Sequence, residues 1–256
     1  MGQVLSIVSQ KGGVGKTTTA VNLAAAMARR GLKTLIVDTD PQGAVRYGIG
    51  LRPGHPTHGF ADYLMGERQL REVILPTALP WLRAMLVGSV AESADHAFYL
   101  ELVADTTLLG DLLRTARERC HVVIVDTPPG LGRIVRRALE ASQHVIVPLQ
   151  AEPLALQTTP QILRGIQEIV AVNPELTLDG LLLTMHEHGR ATSDRVANYV
   201  RANLPTDMVF DITIPRTVSS ADAFSAGQPV VLRDPADPAA QAYVNLAALL
   251  ADRYGL

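Results

Sequence analysis

Hydrophobic positions along this chain fall into two rhythms. Short, nearly uninterrupted apolar runs recur at Val4-Leu5-Ser6-Ile7-Val8, Thr34-Leu35-Ile36-Val37, Val122-Val123-Ile124-Val125, Val145-Ile146-Val147, Leu181-Leu182-Leu183 and Ile212-Thr213-Ile214. They show little alternation with polar residues, which predicts strands covered on both faces. Between the first two, Ala20, Leu23, Ala24 and Met27 repeat at helical spacing and stop short of Gly31, which predicts an amphipathic helix with a glycine just past its end. Similar spacing predicts helices over about 106–119, 132–142, 158–172, 192–203 and 238–253. Strands alternating with helices are the pattern of βαβ units. The expected fold is α/β, in three layers: a mostly parallel twisted sheet with helices on both faces. The stretch Arg52 to Pro80, rich in Gly, Pro and His, is the least regular; a short helix around Phe60-Leu64 and surface loops are expected there. With no internal repeat, low-complexity tract or linker, residues 1–256 read as one domain.

Composition narrows this picture. A chain of 256 residues that is 47% hydrophobic can bury a sizeable core. Its net charge of −2 gives no global basic field, so any nucleic-acid surface must be local. The single cysteine, Cys120, excludes a disulfide framework or a site of several thiolates, and reads as a packing residue. The chain reaches a polar loop by Ser9, too early for a secretory signal, and no apolar stretch approaches a membrane span. The expectation is a soluble, cytoplasmic protein. The many Ala and Arg residues read as genomic bias.

The segment SQKGGVGKTT, Ser9 to Thr18, is where chemistry enters. It follows an apolar run and opens a helical pattern, the strand–loop–helix context of a P-loop. Backbone N–H groups of Gly12, Gly13, Val14 and Gly15, continuing into Lys16, Thr17 and Thr18, can curl around phosphate oxygens, aided by the positive end of the helix. Lys16 would neutralise the β- and γ-phosphates of a nucleotide and the Thr17 hydroxyl would ligate Mg²⁺. A glycine-rich turn that merely opens a helix is the plain alternative, and the Lys-Thr ending argues against it. Lysine is scarce: of 23 basic residues only Lys11, Lys16 and Lys33 are lysines, and two share this loop. A compact ammonium, rather than generic charge, is what those two positions require.

The usual pattern places glycine five residues before Gly15, where this chain has Gln10, followed by Lys11. The loop KGGVGKT resembles the deviant Walker A ATPases, and within them the ParA-type (Soj-like) partition ATPases. The resemblance implies that Lys11 reaches across a dimer interface to the partner's nucleotide. A cation supplied in trans makes ATP part of the dimer contact. "LIVDTDPQG" is similar to the family's DxDPQGN, with Ala44 in place of the asparagine. That implies that Asp40 orients or activates the attacking water and that Asp38 lies near the Mg²⁺ shell. "VVIVDTPPG" has the form of a Walker B strand, so Asp126 would hold Mg²⁺ directly or through water. Thr127 to Gly130 resembles the second switch, which senses the γ-phosphate. Further segments around Gln150, Met185 and Pro215 extend the likeness over nearly the whole chain, and place Met185 and Pro215 as walls of the adenine pocket.

What the resemblance implies is an ATPase with ATP and Mg²⁺ as ligands. It would dimerise on ATP, bind DNA non-specifically, and hydrolyse ATP when a ParB-type partner stimulates it, so as to segregate or position chromosomal or plasmid DNA. For DNA contact, Arg190 and Arg216 match family positions, and Arg195 shares a helix close to Arg190. From His186 onward, however, there are six arginines, no lysines and eight acids, and Ser219 stands where relatives carry an arginine. Arg133, Arg136 and Arg137 fall on one helical face beside the second switch, either a solvated face or a contact for an acidic partner. Other readings stay open: a protein cargo, or a membrane-associated cell-division ATPase of the MinD type. The latter is disfavoured because the C-terminal segment from Ala239 holds one cation, Arg253. An iron–sulfur reductase relative would need paired cysteines, and an amide-forming relative a second substrate pocket. A module that holds nucleotide without hydrolysing it is the remaining alternative.

Overall fold

The fold is that of a computed structural model, which describes residues 1–50, 58–88, 99, 101–103 and 107–256, and only the backbone of Leu154. Strands β1 (Gln3–Ile7), β2 (Thr34–Asp38), β3 (Leu75–Pro76), β4 (Leu82–Met85), β5 (Val122–Asp126), β6 (His144–Gln150) and β7 (Thr177–Thr184) form one seven-stranded sheet. Its order is β3-β4-β2-β5-β1-β6-β7, and every pairing is parallel except β3 with β4.

The helices are α1 (Lys16–Arg29), α2 (Val45–Gly48), α3 (Phe60–Leu64), α4 (Leu70–Val73), α5 (Leu108–Arg119), α6 (Arg133–Glu140), α7 (Pro153–Val170), α8 (Ala191–Asn203), α9 (Val218–Ser225), α10 (Val230–Arg233) and α11 (Pro238–Arg253). Successive strand side chains point to opposite faces, so the apolar runs split between two cores. Val4, Leu35, Val37, Val123, Val125, Val145 and Val147 pack with Leu109, Leu113, Ile134, Leu139, Ile162 and Ile166 of α5, α6 and α7. Leu5, Ile7, Ile36, Val122, Ile124 and Ile146 pack on the other face with α1 and α11. Each fully buried aliphatic side chain contributes about 1.5–3 kcal/mol, so a sheet covered twice needs the unbroken runs seen in the sequence.

Alanine proves more than composition. Ala20, Ala24, Ala25 and Ala28 of α1 and Ala239, Ala240 and Ala247 of α11 are buried in the second core. Their small side chains let the helices approach closely, and the Thr19 hydroxyl meets the Tyr243 phenol at 3.2 Å.

Three expectations are corrected. Ile212-Thr213-Ile214 is not a sheet strand: the chain there meets β7 and the residues just beyond it through isolated bridges, Val209 with Leu181 and Pro215 with His186, and single bonds such as Ile214 N–H to Leu183 O at 2.8 Å. The helix expected from 158 begins at Pro153, because Pro is suited to the first helical turn, where its missing N–H costs nothing. The short strands β3 and β4 are not evident in the pattern, since runs of two and four residues carry too little periodicity. The helix at Phe60–Leu64 is present. Residues 52–57 of the irregular stretch and residue 106 at the expected helix start lie outside the described residues. No helix among the described residues is long and apolar enough to cross a membrane.

Candidate nucleotide site

The loops that leave the carboxyl ends of β1, β2, β5 and β7 lie at the same end of the strands, where ligands of parallel sheets bind. The loop after β1 turns through Gly13 (φ 76°) and Gly15 (φ 88°), left-handed conformations that a side chain strains against. Around Gly12 and Gly13 there is open space where a Cβ would stand, with nothing within 4 Å. Gly15 caps α1, so the loop ends at the positive end of a 14-residue helix. Two side chains pin it: the Thr184 hydroxyl donates to Val14 O at 2.8 Å, and the Ser9 hydroxyl donates to Lys11 O at 2.7 Å.

Lys16 is 7% exposed, and its ammonium donates to Ser9 Oγ at 3.1 Å and Lys11 O at 3.3 Å. Burial lowers its pKa, while the charges of Asp126 and Asp40 resist that fall. Lys11 is exposed, and only its backbone carbonyl takes part in these bonds. Thr17 and Thr18 are partly exposed at the first turn of α1.

Three aspartates face this loop. Asp38 and Asp126 are register partners on β2 and β5, both fully buried. Asp38 is engaged with backbone: Oδ1 accepts from Asp40 N and Oδ2 from Val45 N, each at 3.1 Å. These bonds shape the turn that carries Asp40. Burial, then the charges of Asp126 and Asp40, raise its pKa well above the carboxylate range. Asp126 differs, because both of its carboxylate oxygens are buried without a hydrogen-bond partner of ordinary geometry. Burial pushes its pKa up to about 7; the nearby Thr17 hydroxyl and Lys16 oppose the rise and Asp40 adds to it. A buried carboxylate whose two oxygens lack a well-formed hydrogen bond, beside a hydroxyl and a cluster of acids, fits a divalent ion with oxygen ligands. Asp40 is half-buried, and its Oδ1 accepts from Gln42 N at 2.9 Å. It borders an open cleft of about 620 Å³ with Pro128, Pro129 and Arg133.

The residues that hold this geometry were not all legible in advance. Thr39 donates to Asp126 O and Thr127 to Ile7 O, each at 2.8 Å, stitching the ends of β2, β5 and β1 together. The tripeptide Val-Asp-Thr, repeated at 37–39 and 125–127, was the available signal. The Tyr99 phenol, fully buried, donates to Thr39 O at 3.1 Å. Gly130 N–H reaches Ser9 O at 2.9 Å, and the Leu131 side chain fills the space above Gly165 on α7.

Met185 sits at φ 51°, a left-handed position rare for a residue with a side chain, and its methyl lies 3.7 Å from where a Cβ on Gly15 would stand. Pro215 joins it through the bridge to His186. The arginines are less available than expected. Arg190 and Arg216 both pair with Glu187 Oε1, at 2.8 and 3.1 Å. Arg195 bonds Ala191 O on its own helix. Arg136 pairs with Glu168 and Arg137 with Glu140, at 2.8 and 2.9 Å. A separate cavity of about 600 Å³, lined by Leu35, Arg83 and Cys120, lies at the opposite end of the strands. Burial pushes the Cys120 thiol pKa up, consistent with a packing role.

A parallel sheet with this loop on its first strand, and acids closing the next two, defines a P-loop nucleoside triphosphatase of the MinD/ParA superfamily. The family model described as AAA domain matches residues 2–178. The chain is 37% identical over 252 residues to the chromosome partitioning protein ParA of Caulobacter vibrioides, covering 96% of this chain and 92% of that one. It is 38% identical over 248 residues to the chromosome-partitioning ATPase Soj of Thermus thermophilus, covering 95% and 93%. Among solved structures, cobyrinic acid a,c-diamide synthase of Mycobacterium smegmatis with bound ADP and magnesium is similar at a TM-score of 0.80 and 30% identity, covering 98% and 95%. The chain therefore belongs to the ParA/Soj family of partition ATPases. It is an ATPase.

Proposed function

We propose that this ATPase binds ATP with Mg²⁺ in the loop of Gly12 to Thr18, dimerises on ATP, and binds DNA non-specifically as a dimer. A ParB-type partner then stimulates hydrolysis, and the cycle segregates or positions chromosomal or plasmid DNA. One observation carries the reading: the two loop lysines are divided, Lys16 buried against its own loop and Lys11 exposed. Lys16 is already placed for its own subunit's phosphates, and Lys11 is left for a neighbour's. In binding ATP, Lys16 exchanges its two loop bonds for charge-assisted ones to phosphate oxygens, the stronger kind. The backbone N–H groups of Gly12 to Lys16 bind the remaining oxygens. Asp126 and the Thr17 hydroxyl hold Mg²⁺, with Asp38 near its shell. That ion neutralises charge on the phosphates during transfer. Asp40, at the mouth of the cleft, orients the attacking water. Met185 and Pro215 wall the adenine.

A second reading has its own support. Arg190 and Arg216 are both held by Glu187, and Ser219 donates to Asp234 Oδ2 at 2.7 Å. Arg190, Arg195 and Arg216 therefore offer DNA a surface already partly neutralised, which favours a weak DNA contact or a protein cargo. The decisive experiment measures dimerisation and DNA binding with ATP, ADP and no nucleotide, for wild type and Lys11→Ala. The proposal expects both only with ATP and neither in the variant. DNA binding that is equal in all three states overturns the ATP switch; dimerisation without DNA binding leaves the protein-cargo reading in its place. Turnover that disappears in Asp40→Ala excludes a module that only holds nucleotide.

A further inference from the structure

His186 leaves the end of β7, His188 follows it through the turn, and Asp194 projects from the first turn of α8. Among the described residues these three form a group of ligand atoms that all lie within 4.8 Å of one another. His186 Nε2 is 3.0 Å from Asp194 Oδ1, and His188 Nδ1 is 3.9 Å from the same oxygen. We propose that His186, His188 and Asp194 form a transition-metal site of the zinc class, separate from the nucleotide site.

Geometry and chemistry both favour it. A tetrahedral zinc ion, with bonds of about 2.0–2.1 Å, spaces its ligand atoms roughly 3.3 Å apart. Two of the ligands are held at that spacing before any ion arrives. Asp194 Oδ2 accepts from Gly189 N at 3.0 Å, which turns Oδ1 toward the imidazoles. His186 is fixed by its backbone, its N–H on Ile214 O and its carbonyl on Arg216 N, each at 3.0 Å. The loop is closed by Glu187 N donating to Ser193 Oγ at 3.1 Å. The third ligand, His188, is 96% exposed, so its ring can swing toward the other two and close the triangle at small cost. Two imidazoles and one carboxylate suit zinc and its neighbours in the first transition row, whereas Mg²⁺ prefers oxygen ligands alone. Three protein ligands leave a fourth position for water. Because His186 adjoins Met185 and bridges Pro215, an ion here fastens the segment that flanks the nucleotide loop.

A simple hydrogen bond between His186 and Asp194 would need no second histidine, and this separates the alternatives. Tag-free protein without nucleotide is titrated with Zn²⁺ in competition with a chromophoric chelator, with and without millimolar Mg²⁺. The expected result is one Zn²⁺ per chain, undisturbed by Mg²⁺, and at least about tenfold weaker in His188→Gln. Co²⁺ in place of Zn²⁺ should give the visible absorption of a low-symmetry four-coordinate ion, lost in the same variant. Asp194→Asn should weaken Zn²⁺ similarly; since His188 is exposed, His188→Gln decides the question should Asp194→Asn fail to fold. Wild type that binds no Zn²⁺, His188→Gln that binds it as well as wild type, or Zn²⁺ displaced by Mg²⁺ overturns the proposal.

Discussion

The ammonium of Lys16 lies 3.3 Å from the carbonyl oxygen of Lys11, so the loop's two lysines meet through the backbone of one and the side chain of the other. Their side chains diverge, one into the fold and one into solvent. Removing them therefore has different consequences. Lys16→Ala should weaken nucleotide binding by roughly 10- to 100-fold, the loss of one charge-assisted contact of about 1.5–3 kcal/mol. Lys11→Ala should leave the monomer's affinity for ADP unchanged and remove only the ATP-dependent dimer. Calorimetry with ADP and light scattering with ATP check the two; equal loss of ADP affinity in both variants would contradict the division.

Asp126 makes stability depend on pH in the nucleotide- and metal-free protein. Its folded pKa, about 7, lies above the unfolded carboxylate value of about 3.9. Between those values the folded state holds a proton that the unfolded state lacks, so acidification from about pH 7 toward 5 stabilises the fold, and stability falls as pH rises through that window. Asp38, also raised, acts in the same direction. Asp126→Asn should raise the melting temperature at pH 8 in chelator and flatten the slope between pH 7 and 5. A gain of about 1 kcal/mol moves Tm by ~2–4 °C in a chain of this size. An unchanged or lower Tm at pH 8 would show that the carboxylate finds compensation that the fold does not display.

Leu131 and Gly165 are coupled by contact. A Cβ on Gly165 would stand 2.0 Å from Leu131 Cδ1, so Gly165→Ala must displace the leucine. Alanine is favoured over glycine inside a helix by about 1 kcal/mol, and expelling the leucine methyls costs about the same. Stability should change little in the wild-type background. In a Leu131→Ala background the same substitution should stabilise by about 1 kcal/mol, and urea denaturation of the four proteins measures the difference. Turnover should fall in Gly165→Ala alone, because Leu131 follows the turn whose Gly130 N–H holds Ser9 O.

Far from the site, Asp179 ties the C-terminal end of α11 to the sheet. Its carboxylate meets His144 Nδ1 at 3.1 Å and the Tyr254 phenol, whose pKa burial raises well above the usual value. Tyr254→Phe should destabilise by about 1–3 kcal/mol, the cost of leaving a buried carboxylate short of a donor. ATP turnover at low temperature should be unaffected, since His144 and Asp179 lie at the opposite end of their strands from the nucleotide loop. A loss of turnover without a loss of stability would contradict this.

Local pattern carried much of this protein into view. Unbroken apolar runs before Ser9, Thr39 and Thr127 demanded strands covered on both faces, because a half-exposed strand would alternate. The glycines and lysines of the first loop lie in one short segment, and an acid directly closes each of the apolar runs of β2 and β5, so their chemistry was readable there. Tertiary structure decided what depends on distance across the chain. Both oxygens of Asp38 are spent on the backbone of its own turn, whereas those of Asp126 make no well-formed hydrogen bond. Neither fact follows from two similar Val-Asp-Thr triplets. Glu187 draws Arg190 and Arg216 together although they are far apart in sequence, and Leu131, in the loop before α6, finds Gly165 on α7. The strand expected at Ile212 gave way because edge pairing is settled by how the chain meets β7, which periodicity does not encode. Sequence determines which residues can do the chemistry; packing determines which of their atoms remain free to do it.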